Sequence, residues 1–237
     1  MDQFPPLAVI IPAAGVGSRM QANKAKQYLT IENKTILEHT VDCFIQLPFV
    51  TQLYLVVSDT DETFNELGLA SHPKITKVSG GKERADSVLN GLKQATLSHT
   101  TWCMVHDAAR PCLSTTDIEL LYQQCISSQQ PGILATPVRD TMKRNTPQTS
   151  LISETVDRNN MWHALTPQCA PITMLSDAIE QQLDNAGLVN STITDEASAL
   201  ELAGEKVQLV KGSVKNIKIT LPEDLELAAF YLQGLTS

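Results

Sequence analysis

Leu7-Ala-Val-Ile-Ile11 followed by Pro12-Ala-Ala-Gly-Val-Gly-Ser-Arg-Met20 is the stretch of this chain that decides its fold. Five consecutive apolar residues predict a buried strand, and the small residues after them predict a loop with accessible backbone N–H groups. These small residues include Ala13, Ala14 and Gly15. Arg19 and Lys26 supply cations close by. The stretch therefore predicts a polyphosphate-binding loop at the end of the first strand of an α/β sheet.

Two better-known phosphate-binding motifs do not fit this loop. A Walker A motif ends in Gly-Lys followed by Ser or Thr, and no such triplet follows here. The dinucleotide fingerprint would place its third glycine at position 20, which is Met20. An Arg and nearby Lys residues suit a nucleoside triphosphate better than a dinucleotide, which carries less charge. A glycine-rich turn with solvated surface cations is the structural alternative.

Composition and charge restrict the class of protein. The chain has 237 residues and a formal net charge of −8, so a nucleic-acid partner is not expected. In such an acidic chain, the cations near the first loop form a local positive site for a small anion. The sequence has no apolar run long enough for a membrane span and no signal-peptide pattern. Five cysteines without a C-x-x-C pair favour reduced thiols. We expect one cytoplasmic domain covering residues 1–237.

Strand-like and helix-like segments alternate along most of the chain. We predict strands over 7–11, 52–58, 74–79, 102–106, 132–136, 206–210 and 214–219. We predict helices over 36–47, 60–67, 84–98, 115–128, 172–185 and 195–203, and a last helix opening at Thr220-Leu-Pro222-Glu223. This alternation predicts an α/β fold with a mostly parallel sheet covered on both faces.

Residues 137–160 interrupt the alternation. The segment is polar and too long for a simple connection, and the alternating pattern of Leu151-Ile-Ser-Glu-Thr-Val156 favours a β-hairpin. An excursion of this kind has little core of its own. We therefore expect it to pack against a second subunit.

A glycine pair follows the strand predicted at 74–79. The segment Ser79-Gly-Gly-Lys-Glu-Arg-Ala-Asp-Ser-Val88 opens a helix, so it should lie at the same carboxyl edge of the sheet as the first loop. Gly80 and Gly81 let the backbone approach a flat base, and Ser87 offers a hydroxyl to the edge of that base. An ordinary two-glycine turn explains the same residues equally well.

Charged residues follow the strand predicted at 102–106. In Val105-His-Asp-Ala-Ala-Arg-Pro111, Asp107 is typical of a strand-end carboxylate that holds a metal, ribose hydroxyls or an acceptor. Arg110 is suited to bidentate binding of a phosphate. Further metal ligands are offered by Cys103, His106 and Cys112. A metal cage is disfavoured, because alternate strand positions point to opposite faces.

Three further patterns each allow a structural and a functional interpretation. Asp59-Thr-Asp61 has the form of a metal-binding D-x-D pair, but we favour a helix cap. Thr194 is predicted to cap the helix that begins in Asp195-Glu-Ala-Ser198, where free N–H groups leave an anion site open. Lys218, within Asn216-Ile-Lys-Ile-Thr220, is on its own best explained as a surface lysine.

Taken together, these blocks resemble one protein family. They occur in order as Pro12-Ala-Ala-Gly15 with Gly17, Arg19 and Met20, Lys26-Gln-Tyr28, Gly80-Gly81 with Arg84, Ser87 and Val88, His106-Asp-Ala-Ala-Arg-Pro111, Val138-Arg-Asp-Thr141, Thr155-Val-Asp-Arg158, Leu165-Thr-Pro-Gln168, Asp195-Glu-Ala-Ser198 and Asn216-Ile-Lys218. Over about residues 8–231, this set resembles the 2-C-methyl-D-erythritol 4-phosphate cytidylyltransferase family of the non-mevalonate isoprenoid pathway.

The resemblance implies a reaction, a fold and a set of site residues. The reaction would transfer CMP from CTP to methylerythritol phosphate and release pyrophosphate, with Mg²⁺ held mainly by the CTP phosphates and water. The fold would be a three-layer, Rossmann-like nucleotidyltransferase sheet with a protruding β-arm. The residues implied as catalytic are Arg19, Lys26 and Lys218. Those implied to bind CTP are Ala13, Ala14, Gly15, Gly81, Lys82 (through its backbone), Ser87 and Ala108.

The resemblance also implies a shared acceptor site. The residues implied to bind the acceptor are Asp107, Arg110, Thr141, Arg158, Thr166 and Thr194. Thr141 and Arg158 would come from the arm at 137–160 of a second subunit, which implies a homodimer.

Two positions depart from the pattern of the family. Ala25 stands where a proline is expected before the lysine, which affects the rigidity of the loop, and Lys82 replaces a more usual acidic or small residue near the base. From the residues alone, two alternatives stay open. One is a nucleotidyltransferase with another acceptor, and the other is a catalytically silent nucleotide-binding regulator.

Overall fold

The computed structural model describes residues 4–15, 25–98, 100–184 and 193–234. Its strands are β1 (Leu7–Pro12), β2 (Thr30–Ile31), β3 (Lys34–Thr35), β4 (Val50–Val57), β5 (Ile75–Ser79), β6 (Trp102–Val105), β7 (Gly132–Pro137), β8 (Met142–Asn145), β9 (Ile152–Val156), β10 (Trp162–Pro171) and β11 (Gln208–Lys211). Its α-helices are α1 (Ile36–Ile45), α2 (Thr63–Glu66), α3 (Arg84–Thr96), α4 (Thr115–Ser128), α5 (Ile172–Asp184), α6 (Glu196–Leu202) and α7 (Glu223–Gln233).

The main sheet has the predicted, mostly parallel character. Within the described residues it contains seven strands in the order β11-β7-β10-β6-β1-β4-β5. β10 runs antiparallel to both of its neighbours, and the remaining pairs are parallel. The carboxyl ends of β1, β4, β5 and β6 consequently lie at one edge of the sheet, where the loops that follow them can meet.

Helices cover the sheet on both faces, because the side chains of each strand alternate between two cores. Along β1, Leu7, Val9 and Ile11 pack in the core that includes residues of α1 and α4. Ala8 and Ile10 pack in the opposite core, with residues of α3, α5 and α6. All five side chains are fully buried, so each large one contributes about 1.5–3 kcal/mol to folding. The predicted three-layer α/β architecture, a sheet with helices on both faces, is confirmed.

Helix caps explain why two of these helices begin where they do. The hydroxyl of Thr35 accepts a hydrogen bond from the Glu38 amide, and the Glu38 carboxylate accepts one from the Thr35 amide. Ser114 caps α4 by accepting from the Asp117 amide. The Asp117 carboxylate is used elsewhere, since it accepts from the Ser213 amide at 3.0 Å and ties the segment before Lys218 to α4. The predicted helix at 60–67 is shorter, with α2 followed by a 3₁₀ turn at Gly68–Ser71.

The region around the acceptor motifs differs most from the prediction. The strand expected at 214–219 is absent from this described segment; instead the Ile219 amide donates to the Ala109 carbonyl and the Asn216 side chain donates to the Thr166 carbonyl. β10 was not predicted, although it lies at the centre of the sheet. Its pairing shifts between Ala164 and Gln168, and this irregular stretch contains the cis peptide bond before Pro167.

The hairpin predicted within 137–160 is confirmed. β8 and β9 pair antiparallel as a two-stranded sheet of their own, and most of their residues are exposed. Leu151 and Ile152 are large apolar side chains that are 72% and 64% exposed. Among the residues described, no helix is both long enough and apolar enough to cross a membrane.

Candidate active site

The loops after β1, β5 and β6 meet at the carboxyl edge of the sheet, as the sequence predicted. A Cβ atom at Gly80 would lie 2.5 Å from the Cβ of Ala14, so the first loop packs directly on the glycine pair. A cleft of about 310 Å³ opens between the loops. It is lined by Pro12, Ala13, Ala14, Gly15, Lys26, Gln27, Gly81, Lys82, Glu83, Arg84, Ser87, Asp107, Ala108, Ala109 and Lys218.

The glycine pair and Ser87 form a tight turn on one side of the cleft. A Cβ atom at Gly81 would lie 2.2 Å from the Cβ of Asp86, so this position requires glycine. The Gly81 amide donates to the Ser87 hydroxyl at 3.0 Å, and that hydroxyl donates to the Glu83 carbonyl at 3.2 Å. Ser87 therefore fixes the shape of the turn, and Lys82 is exposed at its tip.

Lys26 and Lys218 reach the site from distant parts of the sequence. Lys26 begins a short 3₁₀ helix whose Gln27 is buried and donates to the Ala13 carbonyl at 2.7 Å. The Lys26 ammonium donates to the carbonyl of Ile219, next to Lys218. Two ammonium groups are thus brought to the same cleft, and Lys218 lines this cleft instead of lying on an open surface.

Asp107 lies at the centre of three cations. Its carboxylate oxygens are 3.0 Å from Lys218 Nζ, 3.2 Å from Arg110 Nε and 3.4 Å from Arg84 Nη2. Burial raises the pKa of this carboxyl, but the charges of Lys218, Arg84 and Arg110 outweigh burial and hold the pKa well below its usual range. Asp107 is therefore an anion that accepts hydrogen bonds and is a poor general base.

Arg84 and Glu196 complete the charge network, and sequence reasoning gave neither of them a role. The Arg84 guanidinium makes two contacts to the Glu196 carboxylate, at 2.6 and 3.2 Å. Burial raises the pKa of Glu196 and Arg84 opposes that rise. With Arg84, Lys26, Lys218 and Arg110, this part of the site holds four cations, against the three carboxylates of Glu196, Asp107 and Asp195. The excess positive charge suits an anionic ligand.

A second, smaller cavity adjoins the cleft across Arg84, Asp107 and Lys218. It has a volume of about 230 Å³. Its other lining residues are Arg110, Ala164, Leu165, Thr166, Gln168, Thr194 and Asp195. The irregular stretch of β10 places Thr166 here, where its hydroxyl accepts from the Asp107 amide at 3.0 Å. A bulge cannot be recognised from strand periodicity, which is why no strand pattern indicated this site.

Thr194 lines the second cavity. The prediction that it caps α6 is wrong. The N-cap is Asp195, whose carboxylate accepts from the Ser198 amide at 2.9 Å, while the Thr194 amide donates to the Ser198 hydroxyl. Asp is preferred over Thr at the N-cap position, and here the Asp195 carboxylate is the group that accepts from the helix amide.

The described residues contain no group of three or more His, Cys, Asp or Glu side chains able to hold a metal ion. The thiols of Cys103 and Cys112 contact different carbonyls, those of Ala170 and Ala228. Asp61 accepts hydrogen bonds from the Tyr28 hydroxyl and the Phe64 amide, in keeping with a cap.

Two predicted site residues that the structure describes, Thr141 and Arg158, line neither of these cavities. Thr141 and Arg158 are exposed on the hairpin, and the Arg158 guanidinium donates to the Arg139 carbonyl. Arg19 lies outside the residues that the structure describes.

A model of the 2-C-methyl-D-erythritol 4-phosphate cytidylyltransferase family matches residues 7–234 of the chain. The chain belongs to this family. A cytidylyltransferase of this name from Vibrio vulnificus (strain CMCP6) is 53% identical over 95% of this chain and 94% of its own length. The cytidylyltransferase from Klebsiella pneumoniae subsp. pneumoniae is 52% identical over 97% of this chain and 94% of its own length. The crystal structure of the Francisella tularensis cytidylyltransferase superposes with a TM-score of 0.80 at 38% identity, over 95% of this chain and 99% of that one. The family and the nucleotidyltransferase fold expected from the sequence are confirmed.

Proposed function

We propose that this chain transfers CMP from CTP to 2-C-methyl-D-erythritol 4-phosphate, giving 4-diphosphocytidyl-2-C-methyl-D-erythritol and pyrophosphate for isoprenoid precursor biosynthesis. The observation that carries the proposal is the pair of adjoining cavities that share Arg84, Asp107 and Lys218. Two substrates bound side by side would meet at Lys218, in a chain that belongs to the cytidylyltransferase family.

CTP occupies the larger cleft in this proposal. Its phosphates bind the backbone of the first loop and the cations Lys26 and Arg19, its cytosine binds the turn, and its ribose lies near Ala108. The phosphate-binding residues of the loop are Ala13, Ala14 and Gly15, and the cytosine-binding residues of the turn are Gly81, Lys82 and Ser87. Because the Ser87 hydroxyl already bonds Gly81 and Glu83, its main contribution is the shape of the turn. Backbone groups of Gly81 and Lys82 then carry most of the recognition of the base.

The acceptor occupies the smaller cavity, between Asp107, Arg110, Thr166 and Thr194. Its phosphate monoester is largely ionised near pH 7, since its second pKa is about 6. An oxygen of this phosphate attacks the α-phosphorus of CTP; the new P–O bond forms as the bond to the β-phosphate oxygen breaks, and pyrophosphate leaves. No proton has to be removed, and Asp107, whose pKa is held low by its three cations, orients the hydroxyls of the acceptor.

Catalysis then consists of alignment and charge stabilisation. Lys26 and Lys218 contact the α-phosphoryl oxygens, and Arg19 neutralises the departing pyrophosphate. Mg²⁺ enters as part of the MgCTP substrate. The site fits this view, because Asp107 is already surrounded by cations and the described residues form no carboxylate cage of their own.

The catalytic unit is a single domain, and the segment 137–160 is a dimerisation arm. An isolated two-stranded hairpin is marginally stable in water, and this one exposes Leu151 and Ile152. Burial of these side chains against a second copy would stabilise both arms. Thr141 and Arg158 lie away from the cavities of their own chain, so they are available to complete the acceptor site of the partner.

The test is pyrophosphate release by the purified chain with MgCTP and methylerythritol phosphate. Release that needs both substrates supports the proposal, and omission of the acceptor and addition of a chelator are the controls. MgATP, MgGTP and MgUTP show whether Lys82 has relaxed the selectivity for cytosine. If CTP binds without pyrophosphate release, the acceptor or the activity has been assigned wrongly.

A further inference from the structure

A buried histidine lies next to the residues that line the acceptor cavity, and the proposed reaction gives it no role. His106 is completely inaccessible to solvent, and the ring of Phe44 meets it edge-on at 5.2 Å between centroids. Its Nε2 lies 3.1 Å from the Arg110 carbonyl oxygen, and its Nδ1 lies 3.0 Å from the Thr166 hydroxyl. Both ring nitrogens therefore contact residues that line the acceptor cavity.

These two contacts determine which nitrogen carries the proton. The Arg110 carbonyl can only accept, so Nε2 must be the protonated nitrogen. In a neutral imidazole Nδ1 is then a bare acceptor, and the Thr166 hydroxyl must donate its proton to it. Burial lowers the pKa of His106 to about 4, which keeps the ring neutral near pH 7. The charged groups beside it are Asp107, which raises this pKa, and Arg110, which lowers it.

The direction of this hydrogen bond limits what Thr166 can offer to a ligand. A threonine hydroxyl has one proton and two lone pairs. The proton goes to His106 Nδ1, and one lone pair accepts from the Asp107 amide. One acceptor position is left. Thr166 can thus receive a hydrogen bond from a hydroxyl, but it has no proton for a phosphate oxygen.

We propose that His106 is a positioning residue that orients the Thr166 hydroxyl, so that this wall of the cavity binds a hydroxyl group of the acceptor and rejects its phosphate. The inference rests on the proposed function, and it adds the orientation of the acceptor. The polyol hydroxyls lie toward Thr166, and the phosphate lies toward Lys218, where the α-phosphorus of CTP is expected. Without His106 the Thr166 proton would be free to turn into the cavity and bind a phosphate in the wrong orientation.

The first experiment measures the protonation state of His106 by ¹⁵N NMR of the imidazole in the full chain near pH 7. The expected spectrum has a protonated Nε2 and a bare Nδ1 that accepts a hydrogen bond, and the Nδ1 resonance should move in the variant Thr166→Val. Protonation at Nδ1, or on both nitrogens, would overturn the inference. This result is independent of turnover. If the chain instead releases no pyrophosphate from its substrates, the proposed function fails while the arrangement around His106 is still tested.

The second experiment uses two side chains that each keep half of the imidazole contacts. His106→Gln keeps a donor for the Arg110 carbonyl and removes the acceptor for Thr166, whereas His106→Asn keeps an acceptor at the position of Nδ1. We expect His106→Gln to raise KM for methylerythritol phosphate about 3- to 10-fold, the worth of one hydrogen bond, with little change in KM for CTP. His106→Asn should stay near the value of the unmodified chain.

A double-mutant cycle then shows whether His106 acts through Thr166. In a Thr166→Val background, His106→Gln should have no further effect on the KM for the acceptor. If the two effects multiply, or if His106→Gln raises both KM values equally, His106 has only a general structural role and the inference is wrong.

Discussion

Two Arg–Glu pairs of nearly equal length lie in two very different regions of the molecule. Arg84 and Glu196 approach to 2.6 Å at the active-site edge of the sheet, where the Glu196 side chain is only 3% exposed. Arg144 and Glu154 approach to 2.7 Å across the hairpin, where both side chains are more than half exposed. Judged by distance alone, the two ion pairs would be expected to contribute equally to stability. Burial separates them, because the first pair is withdrawn from water and the second is screened by it.

The same contrast distinguishes the two regions as a whole. At the active-site edge, loops from distant parts of the sequence are tied together by buried hydrogen bonds and by the cations around Asp107. On the arm, ladder hydrogen bonds and the exposed Arg144–Glu154 ion pair hold a hairpin whose large apolar residues Leu151 and Ile152 are exposed. At the edge, contacts within one chain hold the charged side chains in place. The arm, in contrast, has a role in the proposed function only if it pairs with a second subunit.

The largest effect is expected from the two site lysines. Lys26→Ala or Lys218→Ala should lower kcat by about 10²–10³, as for the loss of one preorganised electrostatic group. The matched control is Lys93→Ala, since Lys93 pairs with Glu180 on the exposed surface. Steady-state pyrophosphate release checks the prediction. A near-normal kcat in either site variant would contradict the assignment of that lysine.

Burial at the edge should also appear in the pH dependence of stability. His106 has a folded pKa of about 4, against about 6.5 when unfolded, so the unfolded chain binds the additional proton between these values. The stability contributed by neutral His106 is complete above pH 6.5 and is lost as the pH falls to 4. It amounts to about 3 kcal/mol. Urea unfolding of the parent chain and of His106→Gln measures the free energy of unfolding from pH 7 to 4. This free energy should fall less steeply with pH in the variant than in the parent. Parallel pH dependences in the two proteins would contradict the prediction.

The two Arg–Glu pairs allow a direct comparison. Glu196→Ala leaves Arg84 without its main partner and should lower the free energy of unfolding by about 2–3 kcal/mol, less than for a fully buried pair because Arg84 is one-third exposed. Glu154→Ala on the arm should cost about 0–1 kcal/mol. Both are measured by denaturant unfolding at one pH. Equal losses would show that burial does not distinguish these pairs.

The role of the arm is tested by mixing inactive subunits. Arg158→Ala should lower kcat/KM by about 10- to 100-fold, the worth of a charge-assisted hydrogen bond to a substrate phosphate. Subunits carrying Lys26→Ala are inactive for a different reason. In a mixed dimer with a shared site, one site holds both defects and the other is intact, so equal mixing should restore roughly a quarter of full activity. No recovery, despite exchange of subunits, would show that each site is built from one chain.

The sequence predicted the parts of this molecule that are determined locally. A buried strand followed by small residues, a glycine pair at a helix start, and a helix that begins at residue 36 all appear where they were expected. In each case the residues that set the structure lie within a few positions of one another. The hairpin of the arm belongs to the same class, because its alternation and its turn are contained in one short segment.

The missed features depend on contacts between distant residues. β10 carries Pro167 and Pro171, which argue against a central strand, yet the proline in mid-strand falls in the irregular stretch where no ladder bond is needed. Lys218 lies on a loop rather than a strand, because the Arg110 guanidinium and the Thr166 carbonyl bind the backbone and side chain of Asn216. The role of Glu196 depends on Arg84, 112 positions away. Local periodicity carries no information about such pairs.

The smallest expected effect concerns Ala25, at the border between the phosphate loop and the rest of the edge. Its φ of −59° and ψ of 137° suit proline, so Ala25→Pro should be accommodated without strain. The substitution removes freedom mainly from the unfolded chain and should raise the free energy of unfolding by about 0.4–1 kcal/mol. Lys26 follows directly and Gln27 is already anchored to Ala13, so kcat should change little. Thermal unfolding and pyrophosphate release measure the two effects. A lower melting temperature would show that the amide of residue 25 is needed by the folded chain, and the edge would then depend on that amide as well as on its buried charges.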